Sequence, residues 1–298
     1  MADKNILHML TPLKHISPFD VNMALDAGFD TVVPYTDVTS EEITGLVQDA
    51  MFSRAPKTGP RTGIFIGGKN AIAALDMLAT ATKAMVPPFG VSLFADPAGS
   101  FTTAAAMVAC AEKLLRERKQ RALKGLKIAV FGATGVVGFS SAVIAALEGA
   151  DVTLVGYDGP RRVSQNAEQI KERFGVSVSA ADGSDETKKA AIMTGTEAVF
   201  AAGRAGVRIL SSDQLALAKG LLLVADVNAV PPSGIEGLDA TANGAPLTAN
   251  GALGIGALTI GNIKYKTEAG LFRKMIEAPK AVRFDFRDAF ALARDING

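Results

Sequence analysis

The chain has no tryptophan, three tyrosines, two histidines and a single cysteine. One cysteine excludes a disulfide framework within the chain, as expected of a protein kept in a reducing cytoplasm. Cys110 falls in "AAMVACAEKL", among the apolar positions of a helix, and reads as a buried structural thiol rather than a nucleophile. With only His8 and His15 available, a multi-histidine zinc site is not expected, and no metal site is assigned. Neither sign of charge is in excess: 31 basic against 30 acidic residues leave a net charge of +1, without a basic footprint for nucleic acid. No apolar run reaches the roughly 18 residues of a membrane span. The opening "MADKNILHML" mixes charged and apolar residues too closely for a secretory leader. These absences favour a soluble cytoplasmic protein with neither nucleic acid nor membrane as partner.

What is present is a regular alternation of short apolar runs with helical segments, the pattern of parallel α/β sheets. "NILHML" reads as a strand, followed by a helix with Ser17 as N-cap, Pro18 in its first turn and Gly28 as its stop. "FDTVVPY", "TGIFIGG" and "FGVSLFA" are further strands, and Thr39 with Glu42 has the spacing of a capping box. The segment "SFTTAAAMVACAEKLLRERKQRAL" is a long helix with a basic end, favourable for its dipole. At Gly125 the pattern restarts with "LKIAVFG" and runs to "LLLVADVN". Residues 229–256, rich in Gly, Pro and Asn, read as a long loop before two final helices, "EAGLFRKMIEA" and "FDFRDAFALARDI". The expected architecture is two α/β domains: residues 1–122, rejoined by 267–298, and a Rossmann domain over 123–266.

The stretch "VFGATGVVG" follows a strand and opens a helix. Spacing of this kind is weak by itself in a chain with 30 glycines, so its βαβ setting carries the reading. Gly132 permits the tight exit from the strand, Gly135 lets backbone approach a pyrophosphate, and Gly138 lets the helix pack closely. Ala133, Thr134, Val136 and Val137 complete the turn, whose helix N-terminus offers N–H groups to phosphate. Twenty residues beyond Gly138, Asp158 is placed to bond the ribose 2′-hydroxyl of NAD. Arg161 and Arg162, just after it, are placed to meet the 2′-phosphate of NADP, or else only cap a solvated helix. The mixture favours use of both cofactors. Ala202 and Gly203, and Asp226 and Asn228, end later strands where loops would line the same dinucleotide.

Five further stretches carry a resemblance to a known family: "HMLTPLKHISPFDVNMALDAGFDT", "TGIFIGGKNA", "VPPFGVSLFADPAGSFTTAAAMVA", "DVNAVPPSGIEGLDA" and "GIGALTIGNIKYK". Together they cover nearly the whole chain, which resembles the bacterial NAD(P)-dependent methylene-tetrahydromethanopterin dehydrogenases of methylotrophs. The resemblance implies reversible oxidation of the N5,N10-methylene bridge of a reduced pterin to methenyl, on a route of formaldehyde oxidation. It implies a catalytic α/β domain beside a Rossmann domain, and a homo-oligomer, a trimer in the strictly NADP-dependent relatives.

By matching motif, Phe19 of "SPFD" corresponds to the family's phenylalanine against the pterin, and Thr103 of "SFTTAAA" to its active-site threonine. Asp20, Gly99, Ser100, Gly254 and Gly256 are implied around the substrate. The strictly NADP-dependent relatives carry a lysine where this chain has Thr259, which leaves Lys264 as the candidate, with Lys266, Lys69 and Lys14 as alternatives. A methylene-tetrahydrofolate dehydrogenase presents the same bridge chemistry and stays open at this stage. A quinate/shikimate-type dehydrogenase would need a paired lysine and aspartate. A non-catalytic dinucleotide sensor would leave the first domain without a task.

Overall fold

The computed structural model describes residues 4–298, so the first three residues of the opening stretch weighed as a leader lie outside it. The chain forms two compact units: residues up to Thr102 with Tyr265–Leu292, and Thr103–Lys264 with Ala293–Gly298. Among the described residues no helix is long and apolar enough to cross a membrane.

In the first unit, β1 (Ile6–Leu10), β2 (Thr31–Tyr35), β3 (Thr62–Ile66) and β4 (Ser92–Ala95) alternate with α1 (Pro18–Ala27), α2 (Ile43–Phe52) and α3 (Ala71–Lys83). The sheet is parallel in the order β2-β1-β3-β4, with Arg283–Phe284 added beyond β4. "TGIFI" and "SLFA" are buried at every position because helices cover both faces, whereas the edge strand β2 stays half-exposed. Phe65, Phe94 and Phe272 form the aromatic centre, with ring centroids 5.2 to 5.6 Å apart. Pro18 opens α1, and Gly28, at φ 115°, ends it by donating its N–H to the Ala24 and Leu25 carbonyls. Ser17 precedes α1 in extended backbone, but its hydroxyl makes no capping bond. The Thr39–Glu42 pair forms half of a capping box. The Glu42 carboxylate accepts the Thr39 N–H at 2.7 Å, while the Thr39 hydroxyl donates to the same carboxylate instead of accepting from backbone.

After α4 (Ser100–Lys119), the second unit is built from β5 (Lys127–Phe131), α5 (Val136–Leu147), β6 (Asp151–Gly156), α6 (Arg161–Phe174), β7 (Ser179–Asp182), α7 (Glu186–Thr194), β8 (Ala198–Ala201), α8 (Ser212–Leu217) and β9 (Leu223–Asp226). Next come β10 (Asn243–Pro246), β11 (Leu253–Ile255) and α9 (Ala257–Glu277), then β12 (Arg283–Phe284) and α10 (Phe286–Asn297) of the chain's end. The second sheet runs β7-β6-β5-β8-β9-β11 in parallel, with β10 antiparallel on the edge. This is the Rossmann order, in which the winding direction reverses between β5 and β8. In the first sheet the reversal falls between β1 and β3. Ligands of open α/β sheets bind outside the carboxyl ends of the strands at such points.

Two expectations are corrected here. Residues 229–256 are not a continuous loop, since they hold β10 and β11. "NGAP" lacks β-formers, and its pairing with β11 supplies the order that its own composition does not. The penultimate helix starts at Ala257, eleven residues before Glu268, because "ALTIGNIKYK" continues it despite an internal glycine. That places Lys264 inside α9 and Gly254 within β11. The final helix is shared: it contributes up to Leu292 to the first unit, with Phe286 edge-on to Phe101 at 5.3 Å. Its last turn belongs to the second unit, where Arg294 bonds both Glu112 oxygens at 2.6 Å and reaches Glu148.

Candidate functional site

Each sheet opens a cavity at its own reversal point. In the first unit a cavity of about 400 Å³ is lined by Thr11, just after β1, by Gly67 and Gly68, just after β3, and by Lys14, His15, Ser17, Asp20, Lys69 and Ala98. Asp20 is thus brought together with Lys14 and Lys69, the two lysines held as alternatives. Phe19, its neighbour in the first turn of α1, is 45% exposed and is not among the residues lining this cavity. His8 is not part of this cavity's lining: its Nδ1 lies 3.2 Å from the Tyr35 hydroxyl on the sheet. Burial, and then the charge of Arg54, hold His8 below its ordinary pKa.

The loop after β4 is tied down by Asp96, which is fully buried. One carboxylate oxygen accepts the N–H groups of Phe101 at 2.7 Å and Thr102 at 3.3 Å, and the other accepts the Thr102 hydroxyl at 2.5 Å. These bonds hold Ala98 in left-handed backbone at φ 54°, with Gly99 following at φ 62° and Ser100 starting α4. The spacing of "ADPAGSFTT" in the sequence did not reveal this clamp. Thr103 occupies the first turn of α4 and is half-buried. Cys110, further along α4, is buried, and desolvation pushes its thiol up to about 12 against the opposing pull of Lys113. Such a thiol is not a nucleophile at neutral pH.

In the second unit a larger cavity, about 560 Å³, opens where β5 and β8 diverge. Gly132, Thr134 and Gly135 line it from the glycine turn, and Ala202 and Gly203 from the loop after β8. Gly132 has φ 77°, and a Cβ there would lie 2.2 Å from the Ala202 carbonyl oxygen. Gly138 faces the turn from α5, where a Cβ would lie 2.5 Å from the Gly132 oxygen. Ala133 is buried and its carbonyl accepts from the Asn166 amide at 2.9 Å; Val136 and Val137 form the first turn of α5. The cradle therefore fits a phosphate chain: Gly132 and Gly135 line the cavity where α5 begins, and neither carries a Cβ to crowd a ligand there.

At the tip of β6, Asp158 and Arg162 pair at 3.2 Å, and Arg162 also donates to the Tyr157 hydroxyl at 3.2 Å. These bonds, Asp158 first, raise the already high pKa of Arg162. Arg161, beside them, is exposed. The side chains of Asp226 and Asn228 turn into their own loop instead of presenting free groups. Asp226 accepts the N–H groups of Asn228 at 2.9 Å and Ile235 at 3.2 Å, and its burial pushes the carboxyl above its ordinary range. Asn228 accepts from Gly206 and Val230 and donates to the Pro232 carbonyl. Tyr157, Lys189, Arg204, Val207, Arg208 and Ile209 also line this cavity. None stood out in the sequence, although an arginine inside the glycine-rich run "AAGRAG" after a strand is a usable signal.

Of the remaining candidates, Gly254 lies in β11, and Gly256 immediately precedes α9. Thr259, on the first turn of α9, donates to the Thr241 carbonyl at 3.2 Å. Lys264 is half-buried further along the same helix, while Lys266 is exposed.

Comparison with known proteins gives the same direction from the whole chain. The family model of the N-terminal part of methylene-tetrahydromethanopterin dehydrogenase matches residues 18–98. The chain is 55% identical, over 99% of both proteins, to the NAD(P)-dependent methylenetetrahydromethanopterin dehydrogenase of Methylorubrum extorquens. It is 35% identical to the bifunctional protein MdtA of that organism, over 94% of both. Shikimate 5-dehydrogenase of Listeria monocytogenes, solved with shikimate and NAD, shares the fold at 15% identity and a TM-score of 0.53, over 91% of each chain. More than half the residues are thus identical from end to end with one dehydrogenase, and the protein belongs to the methylenetetrahydromethanopterin dehydrogenase family.

Proposed function

We propose that the protein is an oxidoreductase that moves a hydride reversibly between the N5,N10-methylene bridge of methylene-tetrahydromethanopterin and NADP⁺ or NAD⁺, giving the methenyl form. The observation that carries it is the open cradle at Gly132–Gly138, at the reversal point of a Rossmann sheet in a chain of this family. Bound NAD(P)⁺ supplies the hydride acceptor. Loss of hydride from a carbon between two nitrogens leaves a cation stabilised by both lone pairs, so no proton has to leave. The protein's task is then binding, orientation and exclusion of water, without an obligatory general base. Phe19, Asp20, Gly99, Ser100 and Thr103 are the residues we assign to the pterin, with Gly254, Gly256 and Lys264 on the second unit. We further read the protein as a cytoplasmic homo-oligomer.

The direct test follows absorbance as purified protein meets methylene-tetrahydromethanopterin or methylene-tetrahydrofolate with each nicotinamide cofactor. Turnover of the methanopterin with kcat varying less than about tenfold from about pH 5.5 to 8 is the expected result. Turnover of the folate alone would overturn the substrate, and a hundredfold loss following one ionisation would overturn the base-free chemistry.

An exposed aromatic ring beside a substrate cavity binds by stacking on a flat heterocycle. Phe19→Ala should raise the pterin KM by about tenfold while leaving cofactor binding and thermal stability near wild type. A melted protein with no pterin-specific defect would instead make Phe19 a packing residue.

Cofactor choice rests on the cluster at the tip of β6. Asp158 suits the 2′-hydroxyl of NAD⁺, and Arg161 with Arg162 suits the 2′-phosphate of NADP⁺. Replacing both arginines by glutamine should lower kcat/KM for NADP⁺ by about tenfold or more and leave NAD⁺ nearly unchanged. Equal losses with both cofactors would show that the arginines support the fold.

A further inference from the structure

The second cavity holds three cationic side chains, and the protein itself satisfies two of them. Lys189 bonds Glu186 at 2.6 Å and the Ile209 carbonyl at 3.4 Å. Arg208 bonds Glu236 at 2.6 Å and the Ser233 carbonyl at 3.3 Å. Arg204 is different: among the described residues its guanidinium has no hydrogen-bonding or ionic partner. Its backbone, by contrast, is held. The Arg204 carbonyl accepts from Val207 at 3.2 Å, and Gly206 donates to Asn228 Oδ1 at 3.2 Å. Asn228 is itself fixed by Asp226, so the two buried groups at the end of β9 brace the loop that carries Arg204.

That loop runs against the glycine turn. A Cβ on Gly132 would lie 2.6 Å from the Gly203 nitrogen, and Arg204 is the next residue. The turn can offer backbone N–H groups and the helix dipole, which amounts to about half a positive charge. A dinucleotide's phosphate chain carries more negative charge than that. A guanidinium supplies the remainder and can bond phosphate oxygens in a fork.

We propose that Arg204 is a cofactor-binding residue that pairs with the phosphate chain common to NAD⁺ and NADP⁺, held in place by the Asp226–Asn228 brace. The proposal rests on the dehydrogenase reading above. It differs in effect from the Arg161–Arg162 assignment, because the phosphate chain is shared by both cofactors and the 2′-phosphate is not.

The experiment measures dissociation constants of NAD⁺, NADP⁺ and ADP-ribose by calorimetry for the wild-type protein, Arg204→Gln and Arg204→Lys. Arg204→Gln should weaken all three by a similar factor, about tenfold or more, with Arg204→Lys recovering part of the loss. The thermal midpoint of the unliganded protein should not move, since the guanidinium bonds to nothing among the described residues. Unchanged binding of all three would make Arg204 a solvated loop side chain and overturn the proposal. Loss confined to NADP⁺ would reassign it to the 2′-phosphate, which also overturns it. A wild-type protein that binds none of the three would instead sink the dinucleotide reading on which the proposal rests.

Discussion

Gly132→Ala will all but abolish dinucleotide binding and lower the thermal midpoint of the unliganded protein. The residue sits at φ 77°, a region costing an alanine about 1–2 kcal/mol. Backbone crowding adds to this, because the new Cβ would lie 2.2 Å from the Ala202 oxygen and 2.6 Å from the Gly203 nitrogen. Neither atom is the end of a flexible side chain, so the turn and the loop after β8 must move apart. We expect a destabilisation of about 3 kcal/mol or more and a rise of about a hundredfold in the NADP⁺ dissociation constant. Gly45→Ala is the matched control. This glycine lies in α2, where a Cβ would meet nothing within 4 Å, so alanine there should add about 0.5–1 kcal/mol of stability. Urea titration of both variants separates the two outcomes. A Gly132→Ala protein as stable as wild type, binding NADP⁺ within about threefold of it, would show that the turn is not the close approach described here.

Asp96→Ala is the second large effect. Its carboxylate is fully buried and receives two backbone N–H groups and the Thr102 hydroxyl. Alanine leaves those donors buried without this acceptor, at about 1–3 kcal/mol each where no water enters. We expect a loss of about 3–5 kcal/mol. Asp96→Asn keeps one acceptor oxygen, and the Thr102 hydroxyl can turn to accept from the new amide, so asparagine should retain most of the stability. If the loop at Ala98–Ser100 holds the pterin, the asparagine variant should still show a raised pterin KM with unaltered NADP⁺ affinity. Denaturant unfolding in which Asp96→Ala loses less than about 1 kcal/mol would rule out the clamp.

Much of the local architecture can be read along the chain. Apolar runs such as "KIAVF" and "SLFA" mark buried strands, because a parallel sheet covered on both faces has no polar alternation to show. Pro18 and Gly28 mark the bounds of α1 because each acts on its own backbone. The turn Gly132–Gly138 is largely local: the left-handed backbone of Gly132 and the packing of Gly138 on the Gly132 carbonyl demand glycine within the turn itself, while the crowding of Gly132 by Ala202 and Gly203 belongs to the fold. The family, too, is legible in the linear motifs.

Local signals fail where partners are distant along the chain. β10 and β11 are strands because they pair with each other and with β9, and "NGAP" has no strand preference of its own. Asp226 and Asn228 look like loop ligands when read linearly. The folded chain turns them toward the N–H groups of residues 228–235 and 206, where they brace instead of reach. Strands, glycine cradle and family are all written in neighbouring residues, and so could be read without the fold. The order of strands in each sheet, and with it the two reversal points where the cavities open, came from non-local pairing alone. So did the lack of a partner for the Arg204 guanidinium among the described residues. Its own neighbours say only that it is charged, whereas the fold shows Glu186, Glu236 and Asp226 already engaged with another cation or with backbone.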